Sequence, residues 1–439
     1  MSIFTFKGGI HPYDGKELSK ESPIKELKPG KLLYYPLSQH IGAPAECIVE
    51  KGERVLAYQM IAKAGGFVSS PIYSSVSGIV KGIASHRNVM GDNVNCIVIE
   101  NDEEYEMAPP INDKKFEEMS KQEIIDCIGK AGIIGMGGAG FPTQVKLSPK
   151  EPDKIDHIIV NCAECEPYLT SDYRKMLEEP DKLIKGLEIE VSLFENAKGI
   201  LAIEDNKPDC IELLTKMTAD NPKISVIPLK TKYPQGSERH LIYAVTKRKL
   251  NSKMLPADVG CIVNNVDTVI AINNAIMEGK PLCERIITFT GDAVNTPQNF
   301  RALTGMLYSE IIEQAGGFNC EPEKVISGGP MMGFSLFEYD VPVTKSSSAL
   351  LAFKKDTVSK NKETACINCG RCAEACPSLL YPGILEQYAT HRDEEAFKKL
   401  NGMECVECGS CSYVCPAKRQ LCQSIKSMRK ELLAKARKK

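Results

Sequence analysis

The sequence predicts a multidomain α/β protein, and three observations carry that expectation. The chain has 439 residues, which at roughly 100–200 residues per domain allows two to four domains. Between residues 115 and 285, short apolar runs of β character alternate with helical stretches, the pattern of βαβ units and a mostly parallel sheet. Cysteine is distributed unevenly: of 18, nine are scattered from Cys47 to Cys320 and nine crowd into positions 366–422. Such crowding points to a metal site there, whereas the total is too dilute for a disulfide scaffold.

Composition excludes several classes. Lys and Arg number 55 against 57 Asp and Glu, a net charge of −2, so no whole-protein field draws in nucleic acid and none is expected as a partner. A hydrophobic fraction of 43% is that of an ordinary globular protein with sizeable cores. No apolar run reaches the ~18 residues of a membrane-crossing helix, so no transmembrane segment of its own is expected. The first residues, MSIFTFKGGIHPYDGKELSKE, lack a basic stretch followed by an apolar core. No secretory signal is therefore expected, and a reducing compartment follows.

Taken in order, residues 1–35 mix Gly, Pro and Lys without periodicity and read as an N-terminal arm. Residues 36–100 hold short β-like runs at intervals of roughly ten residues, a small all-β module. VEKGERVLAYQMI and SSPIYSSVSGIV resemble a barrel-sandwich hybrid of the biotinyl/lipoyl type, but SSVSG stands where a carrier Lys would be, so a docking or scaffold role is expected. In 115–285, KQEIIDCIGKAG and KPDCIELLTKMTADN read as helices, and DHIIVN, KGILAIED and KISVIPL as strands. Residues 286–345 return to strand-like pieces around LYSEIIEQAGG, as in a β-grasp module. SSSALLAFKKDTVSKNKETA reads as a linker to a cysteine-rich region at 360–425, which 426–439 follow as a basic tail.

The cysteine region contains a duplication. Cys366, Cys369, Cys372 and Cys376 are followed by Cys405, Cys408, Cys411 and Cys415, each set spaced C-x2-C-x2-C-x3-C-P. Three thiolates at this spacing wrap three iron corners of a cubane, and the fourth, before Pro, reaches the other cluster in two-cluster ferredoxins. Cys366, Cys369, Cys372 and Cys415 are thus assigned to one 4Fe–4S cluster, and Cys405, Cys408, Cys411 and Cys376 to another. Zinc ribbons use two C-x2–4-C pairs and need no third Cys. The intervening EQYATHRDEEAFKKLNG reads as helix, which suggests a helical two-cluster ferredoxin. Cys422 lies outside both motifs and reads as a packed thiol. Cys162 and Cys165 form a lone C-x-x-C whose neighbours favour packing over redox chemistry.

Gly135-Met136-Gly137-Gly138-Ala139-Gly140-Phe141-Pro142-Thr143 contains a formal G-x-G-x-x-G. A helix-like segment precedes it and Phe-Pro-Thr follows, so it is not the usual dinucleotide turn. A glycine-rich turn still lets backbone N–H groups approach a phosphate or ring closely. Three further segments support a binding loop: Asn161-Cys162-Ala163-Glu164-Cys165-Glu166-Pro167 at a strand end, Gly236-Ser237-Glu238-Arg239, and Asn264-Asn265-Val266-Asp267-Thr268 opening a helix.

Together, in this order, these segments resemble the flavin- and NADH-binding subunit of respiratory complex I. That resemblance implies a Rossmann-like FMN/NADH domain. Gly135, Gly137, Lys146, Asn161, Gly236, Asn264, Asn265 and Thr268 would contact FMN, and Gly138, Phe141, Glu166 and Glu238 would face the nicotinamide nucleotide, with Glu164 in the same set. Two positions depart from the pattern: Ala163 replaces an acid beside the flavin, and Ser237 replaces the first Glu of a Gly-Glu-Glu turn. Over essentially the whole chain, the opening Phe6-Lys7-Gly8-Gly9-Ile10-His11-Pro12, the stretch Pro36–Pro44 and the module order are similar to the C-subunit family of the Rnf complex, a membrane-bound ferredoxin:NAD oxidoreductase. That family implies an order of barrel-sandwich hybrid, flavin domain, β-grasp module of the SLBB type and ferredoxin domain.

The resemblance implies FMN, two 4Fe–4S clusters and NAD(H) as substrate. It also implies other Rnf subunits, integral-membrane and ferredoxin-like, as partners, and a peripheral place on the cytoplasmic side of the cell membrane. NADH gives up two electrons as a hydride, a 4Fe–4S cluster passes one, and a flavin can stand between them. No acid–base dyad or nucleophile is required. A soluble flavin/iron–sulfur cobalamin reductase shares the architecture and is the alternative; the His-Pro opening favours Rnf. The stretch 418–439 carries nine Lys and Arg against Glu431 alone. It reads either as a solvated helix end or as a membrane or partner contact.

Overall fold

The computed structural model describes residues 4–437; Lys438 and Lys439 of the basic tail lie outside them. Two small antiparallel sheets form the first module. One has the order Leu32–Pro36, Asn93–Asn101, Gly78–Arg87, Arg54–Val55, and the other Glu46–Cys47, Met60–Lys63, Ile72–Tyr73. In Leu32–Pro36, Leu33 and Tyr35 are fully buried, the period-2 burial of a strand with one face on a core. This strand already belongs to the barrel-sandwich hybrid, so the irregular arm ends before position 32 rather than at 35. The arm is also tied down. Phe4 bridges Leu229, Ile10 bridges Tyr233, and Ile24–Glu26 adds a parallel strand to the edge of the β-grasp sheet.

Four parallel strands form the central sheet, in the order Ile224–Leu229, Lys198–Glu204, His157–Cys162, Cys261–Asn265. The first three in chain order step outward, and the fourth returns to the other side of His157–Cys162. The strand order therefore reverses between His157–Cys162 and Cys261–Asn265, and open α/β sheets bind ligands outside the carboxyl ends of such a switch point. Helices Lys121–Lys130, Pro208–Met217, Pro180–Ser192 and Val266–Glu278 accompany the sheet. A capping box of Ser120 and Glu123 opens the first of these, satisfying two otherwise orphan amides.

The β-grasp sheet has six strands: Ile24–Glu26, Gln298–Leu303, Glu284–Thr290, Ala349–Phe353, Lys324–Ser327 and Phe334–Leu336. Here the linker expectation needs correcting. Ala349–Phe353 is an inner strand, with Leu350 and Leu351 fully buried on opposite faces. A run of five apolar residues is what a strand buried on both faces requires. The barrel-sandwich and β-grasp sheets share one core: Leu33, Tyr35, Ile61, Ile97 and Ile99 pack in the same cluster as Ile287, Phe289, Phe300 and Tyr308.

The cysteine-rich region is helical, with helices Arg371–Ala375, Pro382–Thr390, Glu394–Lys399, Ser410–Tyr413 and Leu421–Arg437 around Leu385, Phe397, Ile425, Met428 and Leu432. Residues 426–437 continue the Leu421–Arg437 helix, which packs through Met428 and Leu432 and is exposed over 433–436. Several of the tail's cations are paired: Arg429 and Lys426 meet Glu407, and Lys435 meets Glu394 and Glu431.

Candidate functional site

Asn161 and Asn265 are register partners at the carboxyl ends of the two strands flanking the switch point. Each is then met by a glycine from elsewhere in the chain. Gly137 lies over Asn265, where a Cβ would come within 2.9 Å of the Asn265 Cβ. Gly236 lies over Asn161, whose side-chain amide donates to the Gly236 carbonyl at 2.8 Å. A larger side chain at either position would fill the space between loop and strand end.

The glycine loop is held at both ends. The Gly135 amide donates to the Phe141 carbonyl at 2.8 Å. Thr268 is fully buried behind the loop, where its hydroxyl accepts from the Met136 amide at 3.0 Å and donates to the Ile134 carbonyl at 3.2 Å. Between these anchors Gly137, Gly138 and Ala139 are exposed. Lys146 donates to the Val263 carbonyl at 2.6 Å, with its ammonium 3.9 Å from Glu238. Glu238 stands exposed on the first turn of Glu238–Thr246.

The remaining expected residues sit behind this surface. Asn264 is buried and donates to Glu190 Oε1 at 2.6 Å. Burial pushes the Glu190 carboxyl up to about 7. Glu164 is turned into the interior, against the expectation that it lines the cleft. Its backbone is left-handed (φ 46°), Oε1 accepts from the Asp172 amide at 2.7 Å, and Oε2 lies 3.6 Å from Lys16. A buried cation and an amide draw that carboxylate inward. Glu166 reaches the β-grasp module, where one oxygen accepts from the Met331 amide at 3.1 Å; burial raises this carboxyl to about 7.

Two carboxylates lie beneath the cleft: Asp172, which carries no spacing signal in the sequence, and Asp267, within the Asn264–Thr268 segment. Asp172 accepts from Asn265 Nδ2 at 2.7 Å, and burial, with Glu164 and Asp267 nearby, pushes it up to about 8. Asp267 pairs with Lys175 at 2.8 Å and with Arg285, whose guanidinium also donates to the Ser347 carbonyl at 2.8 Å. This ion network fastens the start of Val266–Glu278 to the β-grasp strand Glu284–Thr290. Burying such charges is tolerable because each is paired.

These residues fit a flavin nucleotide. Two glycines and two amide side chains meet at a switch point. Both polar atoms of Gln235, the residue before Gly236, are buried without a partner, as polar groups awaiting a ligand would be.

The cysteines divide unequally. Cys376, Cys405, Cys408 and Cys411 line one small pocket together with Pro377, Gly409 and Cys422. The fourth thiol of the first motif thus lies beside the first three of the second. Cys372 and Cys415 pack in one group with Cys411 and Cys422, whereas Cys366 and Cys369 are exposed. Among the described residues no three His, Cys, Asp or Glu converge as a single ion demands. A cubane distributes four thiolates over separate irons and takes the wider ring.

The enclosed thiol pocket abuts the flavin cleft. The Tyr233 hydroxyl donates to the Cys408 carbonyl at 2.8 Å, and the Gly236 amide, three residues on, donates to Cys165 Sγ at 3.2 Å. Cys165, Tyr233, Met331 and Cys408 pack in one cluster. The N-terminal arm closes the seam: Gly9 donates to the Ala375 carbonyl at 3.0 Å, and Gly8, at φ +82°, lies so near that a Cβ would sit 2.6 Å from the Cys376 oxygen. Arg239 to Glu404 at 3.0 Å adds an ion pair across the same boundary.

Four family models match the chain: the RnfC barrel sandwich hybrid domain over residues 4–104, the Nuo51 FMN-binding domain over 128–274, the SLBB domain over 286–335, and a 4Fe-4S dicluster domain over 358–416. Among curated proteins, the C subunit of the proton-translocating ferredoxin:NAD(+) oxidoreductase complex of Clostridium ljungdahlii is 44% identical over 97% of this chain and 94% of its own. The Na(+)-translocating counterpart of Acetobacterium woodii is 42% identical over 99% and 98%. Among solved structures, a NAD+-reducing [NiFe]-hydrogenase in the H2-reduced state superposes with a TM-score of 0.51 at 18% identity, covering 73% of this chain and 62% of that one. This last likeness concerns the fold alone.

Proposed function

The chain belongs to the C-subunit family of ion-translocating ferredoxin:NAD(+) oxidoreductase complexes, and from that premise we propose that it is the subunit at which NAD(H) exchanges electrons with such a complex. Its cofactors are FMN and iron–sulfur clusters. When bound, FMN exchanges a hydride with NAD(H) and single electrons with the clusters.

In this reading Gly135, Gly137, Asn161, Gly236 and Asn265 hold FMN at the switch point. Asn264, Thr268 and Lys146 keep strand and loop in place, and the exposed Gly138 and Glu238, with the half-buried Phe141, border the side open to the nucleotide. Cys376, Cys405, Cys408 and Cys411 hold the near cluster, and Cys366, Cys369, Cys372 and Cys415 the far one, from which electrons pass to partner subunits. The observation that carries this order is the hydrogen bond from Tyr233, three residues before Gly236, to Cys408 in the wall of the thiol pocket.

The partners are the other subunits of the complex. Among the described residues no helix is long and apolar enough to cross a membrane, and we assign this chain to the periphery, on the cytoplasmic side, with ion movement in the partners. Cofactor analysis of anaerobically purified protein tests the reading. It should give about one FMN and about eight irons, with the flavin bleached by NADH and not by NADPH. About four irons would defeat the two-cluster assignment, and bleaching by neither nucleotide would defeat the assignment of substrate.

A further inference from the structure

Cys422 stands outside both four-cysteine motifs, and the sequence suggests a packed thiol. The structure brings it into the enclosed thiol pocket. It opens the Leu421–Arg437 helix, where its amide donates to Ser412 Oγ at 2.9 Å and so fixes the helix start against the second motif. Its side chain lines the pocket beside Cys376, Cys405, Cys408 and Cys411, and Ile425, one turn on, lines it as well. Gly409, from the loop that carries Cys408 and Cys411, lines the same pocket. A 4Fe–4S cluster takes four thiolates, and this pocket offers five.

We propose that Cys422 is a reserve ligand of the near cluster, able to occupy the iron corner that Cys405 or Cys411 leaves. The inference rests on the two-cluster reading above. These two corners are singled out because Cys411 packs with Cys422 in one cluster and Cys405 lines the same pocket, whereas Cys408 Sγ is turned to Ser410 Oγ at 3.3 Å. In the exchange the iron–sulfur bond to Cys405 or Cys411 breaks and one to Cys422 forms. The proton leaving the Cys422 thiol is taken up by the departing thiolate, so no electron moves and the cluster keeps its oxidation level. The corner held by Cys376 lies on the other motif and is not part of the proposal.

Iron and acid-labile sulfide content, together with the electron paramagnetic resonance spectrum of the dithionite-reduced full-length protein, test this. Cys405→Ala should keep about eight irons, with the g values of the near cluster shifted from those of wild type. Cys405→Ala/Cys422→Ala should fall to about four irons and lose that signal. Cys422→Ala alone should match wild type in both. FMN retention reports that each variant has folded, and the pair Cys411→Ala and Cys411→Ala/Cys422→Ala supplies the same comparison if Cys405→Ala does not fold. Loss of the near-cluster signal in both Cys405→Ala and Cys411→Ala, with Cys422 present, would overturn the proposal. Wild-type protein with only about four irons would instead overturn the two-cluster reading on which it rests.

Discussion

The flavin cleft and the cysteine region are built on opposite plans. The cleft draws its surface from four distant segments, and what it offers is mostly backbone and amide, held by buried carboxylates paired with Lys16, Lys175 and Arg285. The cysteine region repeats one local motif twice. Yet its two thiol sets differ: one is enclosed against Tyr233 and the N-terminal arm, while the other leaves Cys366 and Cys369 exposed. Ligand spacing decides what each loop can bind. What packs against the loop decides which neighbour it can exchange electrons with.

The largest effect expected from breaking this comparison is at Gly137. With a Cβ only 2.9 Å from that of Asn265, Gly137→Val should close the cleft and cut FMN content at least ~10-fold, equivalent to about 1.4 kcal/mol or more of binding. Iron content should be unaffected, because the thiol loops do not depend on the glycine loop. Flavin absorbance and iron analysis of the same sample check both halves. Cys369→Ala should be the mirror image, with FMN retained and bleached by NADH while iron falls by about half, to about four.

Glu190→Gln should act through pH. Burial raises the Glu190 carboxyl from 4.5 to about 7, so in the folded protein it holds a proton that the unfolded chain releases near pH ~4.3. Its contribution to stability is complete below that unfolded value and is lost as pH rises through about 7. Gln keeps an acceptor for Asn264 and cannot ionise. The variant should therefore gain on wild type between pH ~5 and ~8, by up to about 3 kcal/mol, in thermal unfolding of the FMN-bound protein. An equal difference at both pH values would contradict it. Tyr233→Phe should be the mildest change, removing one hydrogen bond across the seam and costing about 0.5–1.5 kcal/mol, read as a small fall in midpoint with both cofactors still bound.

The same contrast explains what is legible in the sequence. The eight motif cysteines can be named from spacing alone because their geometry is local, and the four segments around the flavin can be found because each ends or opens an element. Glu190, Asp172 and Gln235 escape such reading, since a single carboxylate or amide on a helix or loop has no spacing to betray it and acquires its partner only in the fold. Glu164 turns away from the cleft for the same reason: Lys16, which draws it inward, lies far away in the chain. The stretch Ala349–Phe353 passes for a linker because the strands that bury it, Glu284–Thr290 and Lys324–Ser327, are themselves brought in from elsewhere. Module order is readable, but not the core that the barrel-sandwich and β-grasp sheets share.

The central claim is that electrons pass between the flavin cleft and the far cluster through the pocket of Cys376, Cys405, Cys408 and Cys411. Freeze-quench electron paramagnetic resonance of NADH-mixed protein tests it most directly, comparing wild type with Cys376→Ala, which removes a near-cluster ligand outside the reach assigned to Cys422. In wild type both clusters should become reduced. In the variant the flavin should still bleach while the far cluster stays oxidised over the wild-type time course. Reduction of the far cluster at the wild-type rate, with the near cluster absent, would contradict the account.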